Sequence, residues 1–311
     1  MNRNIIEKGS LLLGGVGIGF LVLQLLGFSP EKEAGDAEYL QYMSENYKVF
    51  SPVAPDEMSF AGEEVPLALT DVKERLDREL LVNTYWHSNT FLILKRANRW
   101  FPVIEPILEE NGVPEDFKYL ALVESGLTNA VSPSGATGFW QFLDKTGKQF
   151  GLEVTENVDQ RYHVEKATQA ACNYLNEAYR KFGSWALVAA SYNMGIGGVE
   201  KQLNRQNVAS YWDLMLNEET SRYVFRILAV KEIASDPERY GFHMRASDLY
   251  EPYDIKEIEV DSTIADLAAW ASANGTNYKS LKILNPWLRQ TSLEVAPGSS
   301  YTLLLPEEGN L

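Results

Sequence analysis

Helical periodicity over most of the chain, helix-ending glycines, and a β-α-α-β pattern near the C-terminus predict a mainly α fold carrying a small mixed domain. A long apolar run adds a transmembrane anchor in front. Length agrees, because 311 residues allow about two domains. The 45% hydrophobic content suffices for a core in each.

Residues 1–29 read as a signal anchor. Arg3 and Lys8 precede an apolar run from Leu11 to Phe28, interrupted only by glycines and Gln24. That is close to the ~20 residues a bilayer needs and longer than a signal-peptide core. No small-x-small cleavage site follows, although an atypically cleaved signal peptide is the alternative. Glu31, Glu33, Asp36 and Glu38 come next, so the positive-inside rule puts the remainder outside the cytoplasm. Inner-membrane attachment with a periplasmic body is the expectation.

Residues 30–64 are acidic and broken by Pro52, Pro55 and Gly62, which reads as a tether with one short helix near Glu38–Tyr47. Residues 65–245 read as helices throughout. Asp71 can cap a segment to Leu81, Asn89 one to Arg99, and Phe101-Pro102 opens a third that ends at Asn111-Gly112. A helical stripe runs from His163 to Phe182 and stops at Gly183. Ser184 can cap Trp185 to Met194, closed by Gly195, and Asn217 can cap a last helix to Ala234. Residues 250–311 change character. A strand at Asp254–Val260, short helices ending at Ala273 and near Asn285-Pro286, and a strand from Tyr301 to Leu305 follow one another.

The chemistry centres on Glu124. Phe117, Leu120, Ala121 and Glu124 fall at i, i+3, i+4 and i+7, so the acid points where core residues point. Gly126 is a plausible C-cap, which sets Glu124 in the last turn, near the negative helix end. Burial and dipole both disfavour its carboxylate and should raise its pKa. A carboxyl protonated near neutral pH can act as a general acid. The alternative is a structural Glu paired with a buried Arg or a tyrosine hydroxyl. After it comes a small-residue loop, Ser132 to Gly138, and then Phe139-Trp140-Gln141-Phe142. Aromatic faces stack on sugar rings and amides read N-acetyl groups, so this combination suits a glycan cleft.

Taken with Ser191-Tyr192-Asn193-x-Gly195, the Glu-Ser and Ser-x-x-Gly-Ala-x-Gly-Phe-Trp-Gln-Phe motifs resemble the soluble lytic transglycosylase domain, a lysozyme-like fold. The run from Phe101 to Leu127 is similar almost throughout to the membrane-bound D branch of that family, and the likeness extends over roughly Val65 to Tyr240. The C-terminal pattern, with Leu-Asn-Pro and Pro297-Gly298, resembles a LysM module, a type that binds N-acetylglucosamine-containing glycans. A packing domain that binds nothing is the alternative. Phe139 replaces the family's leucine and Ser191 its alanine, which bears on cleft shape.

The resemblance implies cleavage of peptidoglycan between N-acetylmuramic acid and N-acetylglucosamine, with Glu124 as acid and then base. It also implies Ser125, Ser132, Gly138, Trp140, Gln141, Tyr192 and Asn193 as substrate-binding residues, with Tyr192 tuning Glu124. Two rivals stand beside it: a hydrolytic muramidase using Asp144 or Glu153, and a non-catalytic peptidoglycan-binding scaffold. No cofactor is implied. The net charge of −15 argues against nucleic acid as a partner. The three histidines share no metal-ligand spacing. The single cysteine, Cys172, sits on a helical apolar face and reads as an inert buried thiol.

Overall fold

The computed structural model describes residues 35–46 and 49–311. The expected anchor, residues 1–29, lies outside them. Among the described residues no helix is long and apolar enough to cross a membrane.

A helix, α1 (Asp36–Asn46), is followed by a small antiparallel hairpin, β1 (Ser59–Phe60) with β2 (Glu63–Glu64). Composition marks this stretch as tether, yet its last part belongs to the packed body. Phe60 is fully buried against Phe117, and the Ala61 amide donates to Asp116 at 2.6 Å. The helical unit continues with α2 (Thr70–Tyr85), α3 (His87–Glu110), α4 (Lys118–Ser125), α5 (Asp144–Gln149), α6 (Val164–Phe182), α7 (Trp185–Met194), α8 (Ile196–Gln206) and α9 (Glu218–Ser235). Helix α9 packs on α2, α7 and α4, and α3 packs on α6 and α4. The end of α4 is therefore enclosed by its neighbours.

Two local outcomes differ from the sequence expectation. The two helices expected on either side of Phe101 are one, because α3 runs through Pro102 and Pro106. An interior proline removes a helical hydrogen bond and costs about 3 kcal/mol. The continuous buried stripe of Ile93, Leu94, Ala97, Phe101, Ile104 and Leu108 offsets that loss by packing. The N-terminus of α7 is capped from a distance. Ser184 makes no side-chain cap. Instead the Glu63 carboxylate accepts from the Trp185 amide (2.5 Å), the Ala186 amide (3.2 Å) and the Ser184 hydroxyl (3.0 Å). After Met194 the chain turns at Gly195, as expected, and enters α8 at once.

The C-terminal unit has the expected order: β3 (Ile255–Val260), α10 (Leu267–Ala273), α11 (Tyr278–Leu284) and β4 (Tyr301–Pro306), with β3 and β4 antiparallel. Asn285 is fully buried and locks the helix-to-strand return. Its amide donates to the Leu281 and Leu304 carbonyls, and its oxygen accepts from the Leu304 amide at 2.8 Å. The unit's interior also contains Val158, a residue of the helical unit.

Candidate active site

Glu124 stands in the last turn of α4, which Gly126 ends in the left-handed conformation (φ 60°, ψ 31°) with its amide on the Leu122 carbonyl at 2.8 Å. Arg96 donates to the Gly126 carbonyl at 3.1 Å and so holds this turn. Glu124 remains partly open to solvent, but its carboxyl is largely surrounded. Burial is the main influence and pushes its pKa up to about 7, reinforced by the charge of Glu219. A hydrogen bond from the Tyr223 hydroxyl and the charge of Arg226 pull the other way. Both readings of Glu124 thus meet in one residue: it is paired with a tyrosine hydroxyl, and it stays half-protonated near neutrality.

Two phenols attend it. Tyr223 and Tyr192 are both held well above the ordinary phenol range, first by burial and then by the nearby Glu124 charge. Each is a permanent donor. The one that reaches the carboxyl is Tyr223, on α9. The Tyr192 hydroxyl donates to the Trp140 carbonyl at 2.7 Å instead, so direct tuning of Glu124 by Tyr192 through a hydrogen bond is not what the structure has. Its ring is wedged edge-on against Tyr174, centroids 5.2 Å apart, which fixes where its hydroxyl sits.

The 130–142 loop is drawn to the end of α4 by the Ser125 hydroxyl, which donates to the Phe139 carbonyl at 2.9 Å. Ser132 shapes the loop's outer turn: its amide bonds the Ala136 carbonyl at 2.8 Å, and its hydroxyl accepts from the Ala136 amide at 3.0 Å. Gly138 is obligatory by geometry. Its φ is +80°, and a Cβ there would lie 1.9 Å from the Arg161 carbonyl oxygen. Gln141 also has a positive φ, 49°. Its amide nitrogen donates to the Ala130 carbonyl (3.1 Å) and the Gly138 carbonyl (2.8 Å), which leaves the side-chain oxygen as the acceptor it can offer.

The aromatic wall expected from Phe139, Trp140 and Phe142 is interior packing. Their exposures are 3%, 0% and 3%, and the Trp140 indole N–H is spent on the Thr168 hydroxyl at 2.9 Å. Trp140 therefore supports the site from behind, and its backbone carbonyl, not its face, takes part. The alternation of aromatics around an amide cannot by itself distinguish the two roles. Asn193 clasps the first turn of α9: its oxygen accepts from Thr220 Oγ1 at 2.7 Å, and its amide donates to Glu219 Oε1 at 3.3 Å. Helix α9 thereby brings Glu219, Tyr223 and Arg226 to Glu124. Glu219, Tyr223 and Arg226 fall at i, i+4 and i+7 and so share one face, but Glu218, Arg222, Lys231 and Glu232 are charged too, so spacing alone does not single them out.

The two acids considered for a hydrolytic base are otherwise engaged. Asp144 is exposed and paired with Lys148 at 3.0 Å. Glu153 accepts from the Tyr301 hydroxyl through both oxygens, at 3.1 and 3.0 Å. Among the described residues there is no group of three or more His, Cys, Asp or Glu that could hold a metal ion.

Residues 102–215 match the transglycosylase SLT domain family, and residues 256–309 match the soluble lytic transglycosylase C-terminal LysM-like domain. The chain is similar to the membrane-bound lytic murein transglycosylase D of Escherichia coli K12 and to that of E. coli O6:H1 strain CFT073. In each case the identity is 29% over 263 residues, covering 81% of this chain and 56% of the relative. The chain thus spans about half the length of these curated relatives.

Proposed function

We propose, for a chain that carries a transglycosylase SLT domain and a LysM-like C-terminal domain, that it is a peptidoglycan lytic transglycosylase. It would cut the bond from N-acetylmuramic acid to N-acetylglucosamine without water. The observation that carries this reading is one carboxyl, Glu124, raised to about 7 and held by a tyrosine donor. A group with that pKa can give a proton and take one back near neutrality.

In the first half-reaction Glu124 protonates the glycosidic oxygen, the C1–O bond breaks, and the muramyl N-acetyl group supports the developing cation. Glycosidases usually employ two carboxyls, with substrate-assisted families as exceptions. In the second half the Glu124 carboxylate, stabilised by the Tyr223 hydroxyl, takes the proton of the muramyl C6 hydroxyl as that oxygen closes on C1. The product is a 1,6-anhydromuramyl end, and Glu124 is protonated again. Gln141, Ser132 and Asn193 orient the sugars, and Gly138 allows the loop its close approach. The apolar run from Leu11 to Phe28 would anchor the enzyme in the inner membrane with its body in the periplasm, in line with the relatives' description as membrane-bound.

A second reading has one observation in its favour. Glu219 acts electrostatically on Glu124 and would be the base of a hydrolytic muramidase. Product analysis separates the two. Sacculi digested by the full chain in detergent should yield muropeptides whose muramyl end resists borohydride reduction and whose mass is one water below the muramidase product. Reducible, hydrated ends would establish hydrolysis instead. Binding without release would leave only a scaffold.

A further inference from the structure

The C-terminal unit is seated on one segment of the helical unit, residues 153–163, through bonds of several kinds. The Asp159 amide donates to the Trp287 carbonyl and the Arg289 amide to the Asn157 carbonyl, each at 2.9 Å. The Gln290 side chain donates to the Glu156 carbonyl at 3.0 Å, and Tyr301 bonds Glu153. Trp287 stacks on His163 with centroids 5.8 Å apart, and the Arg289 guanidinium lies 4.2 Å from the Tyr162 ring centre. Val158 completes the interior of the C-terminal unit, 1% exposed.

The other side of the same segment grips the active-site loop. Asp159 is buried, and its carboxylate holds the Arg161 guanidinium through Nε at 2.9 Å and Nη2 at 2.7 Å. Fixed in this way, Arg161 Nη1 donates to the carbonyls of Gly135 and Phe142, each at 3.2 Å. These are two ends of the loop that contains Gly138 and Gln141. The Arg161 carbonyl presses against Gly138 closely enough to exclude any side chain. From this loop the bonds to Ser125, beside Glu124, and to Tyr192 lead into the reacting centre.

We propose that the C-terminal unit braces the active site, with Arg161 as the positioning residue that carries its hold to the 135–142 loop. The inference rests on the reading of Glu124 as the reacting group. It assigns the unit a part in turnover itself, separate from any grip on the glycan. An arginine suits the task because its planar fork can serve a carboxylate and two carbonyls at once, which an ammonium cannot.

Two full-chain variants test it. Arg161→Lys keeps the charge but cannot span the same acceptors. Arg289→Ala/Gln290→Ala/Tyr301→Phe loosens the seat from the far side. Both should speed hydrogen exchange at the Thr137, Gly138 and Gln141 amides. Both should also lower kcat on short soluble glycan fragments roughly tenfold or more with KM nearly unchanged, as expected when a reacting geometry is misplaced. Combined, they should lose no more than the worse of the two, since they act along one route. Unchanged exchange at 135–142, unchanged kcat in a folded Arg161→Lys protein, or losses that multiply would each overturn the brace. A Glu124→Gln protein as active as wild type would instead overturn the functional reading, while the exchange measurement would still decide the mechanical link.

Discussion

The Tyr223 hydroxyl donates to Glu124 Oε1 from a position 99 residues further along the chain. A helix end and another helix are thereby joined at the carboxyl that has to exchange a proton, with Oε1 taken by the phenol and the second oxygen left for the transfer. The donor favours the carboxylate that the second half-reaction needs, while burial favours the acid that the first half needs. The balance between them places Glu124 near neutrality.

Removing that donor should therefore move the titration. In Tyr223→Phe the larger of the two opposing influences is gone and only the Arg226 charge remains, so the Glu124 pKa should rise and the alkaline limb of the kcat/KM profile should shift to higher pH. The maximal rate should fall roughly ten- to a hundredfold, since a hydrogen bond to a charged group is worth about 1.5–3 kcal/mol. A pH–rate profile of the variant checks this, and an unmoved alkaline limb would count against the pairing.

Glu124→Gln should abolish turnover, with a loss of about 10²–10⁴-fold or more, since one group performs both proton transfers. Its stability effect has a defined sign. The folded-state pKa is raised from 4.5 to about 7, so the stabilising contribution of the protonated acid is complete below about 4.5 and is lost as pH rises through 7. Thermal melts should show the Gln variant matching wild type near pH 4. Near pH 8 it should exceed wild type by at most about 3.4 kcal/mol, the rise from 4.5 to about 7 taken at about 1.36 kcal/mol per unit.

Trp140→Phe distinguishes an interior role from a sugar-stacking one. The substitution deletes the indole bond to Thr168 and leaves a small void, so the melting point should drop by the equivalent of about 1–3 kcal/mol. Activity at a temperature where the variant is folded should stay within about twofold. A large rise in KM with unchanged stability would restore the wall.

The Cys172 thiol is buried, and burial pushes its pKa up to about 12. Thiolate is the reactive form, so a thiol reagent at pH 8 should label the native protein only on the timescale of unfolding. Labelling measured across a urea titration should follow loss of helicity. Rapid labelling in the absence of denaturant would contradict the burial.

Local signals carried much of the architecture. Gly126 and Gly183 end their helices in the left-handed conformation, and Asn217 caps α9 through the Thr220 amide, because caps are chemistry between near neighbours in the chain. The order of the C-terminal elements was legible for the same reason. Long-range partners were not. Glu63 caps a helix more than a hundred residues away, and nothing in an acidic, proline-broken stretch marks that duty. Tyr223 is one aromatic in an apolar stripe until α9 is laid beside α4. Trp140 read as a stacking face because pattern gives residue type but not which side of the chain meets solvent.

Val158 lies among the helices by order in the chain, and its side chain sits in the interior of the neighbouring unit. That exchange makes the interior of one half depend on the other. Modules strung on open linkers can be traded between genes as beads. Here a recombination crossover near residue 250 would leave an apolar side chain in water on one side and a void in the incoming unit on the other. The C-terminal half should therefore travel with its own 153–163 segment, and substitutions at position 158 should be answered by changes around Leu288, which pairs with it.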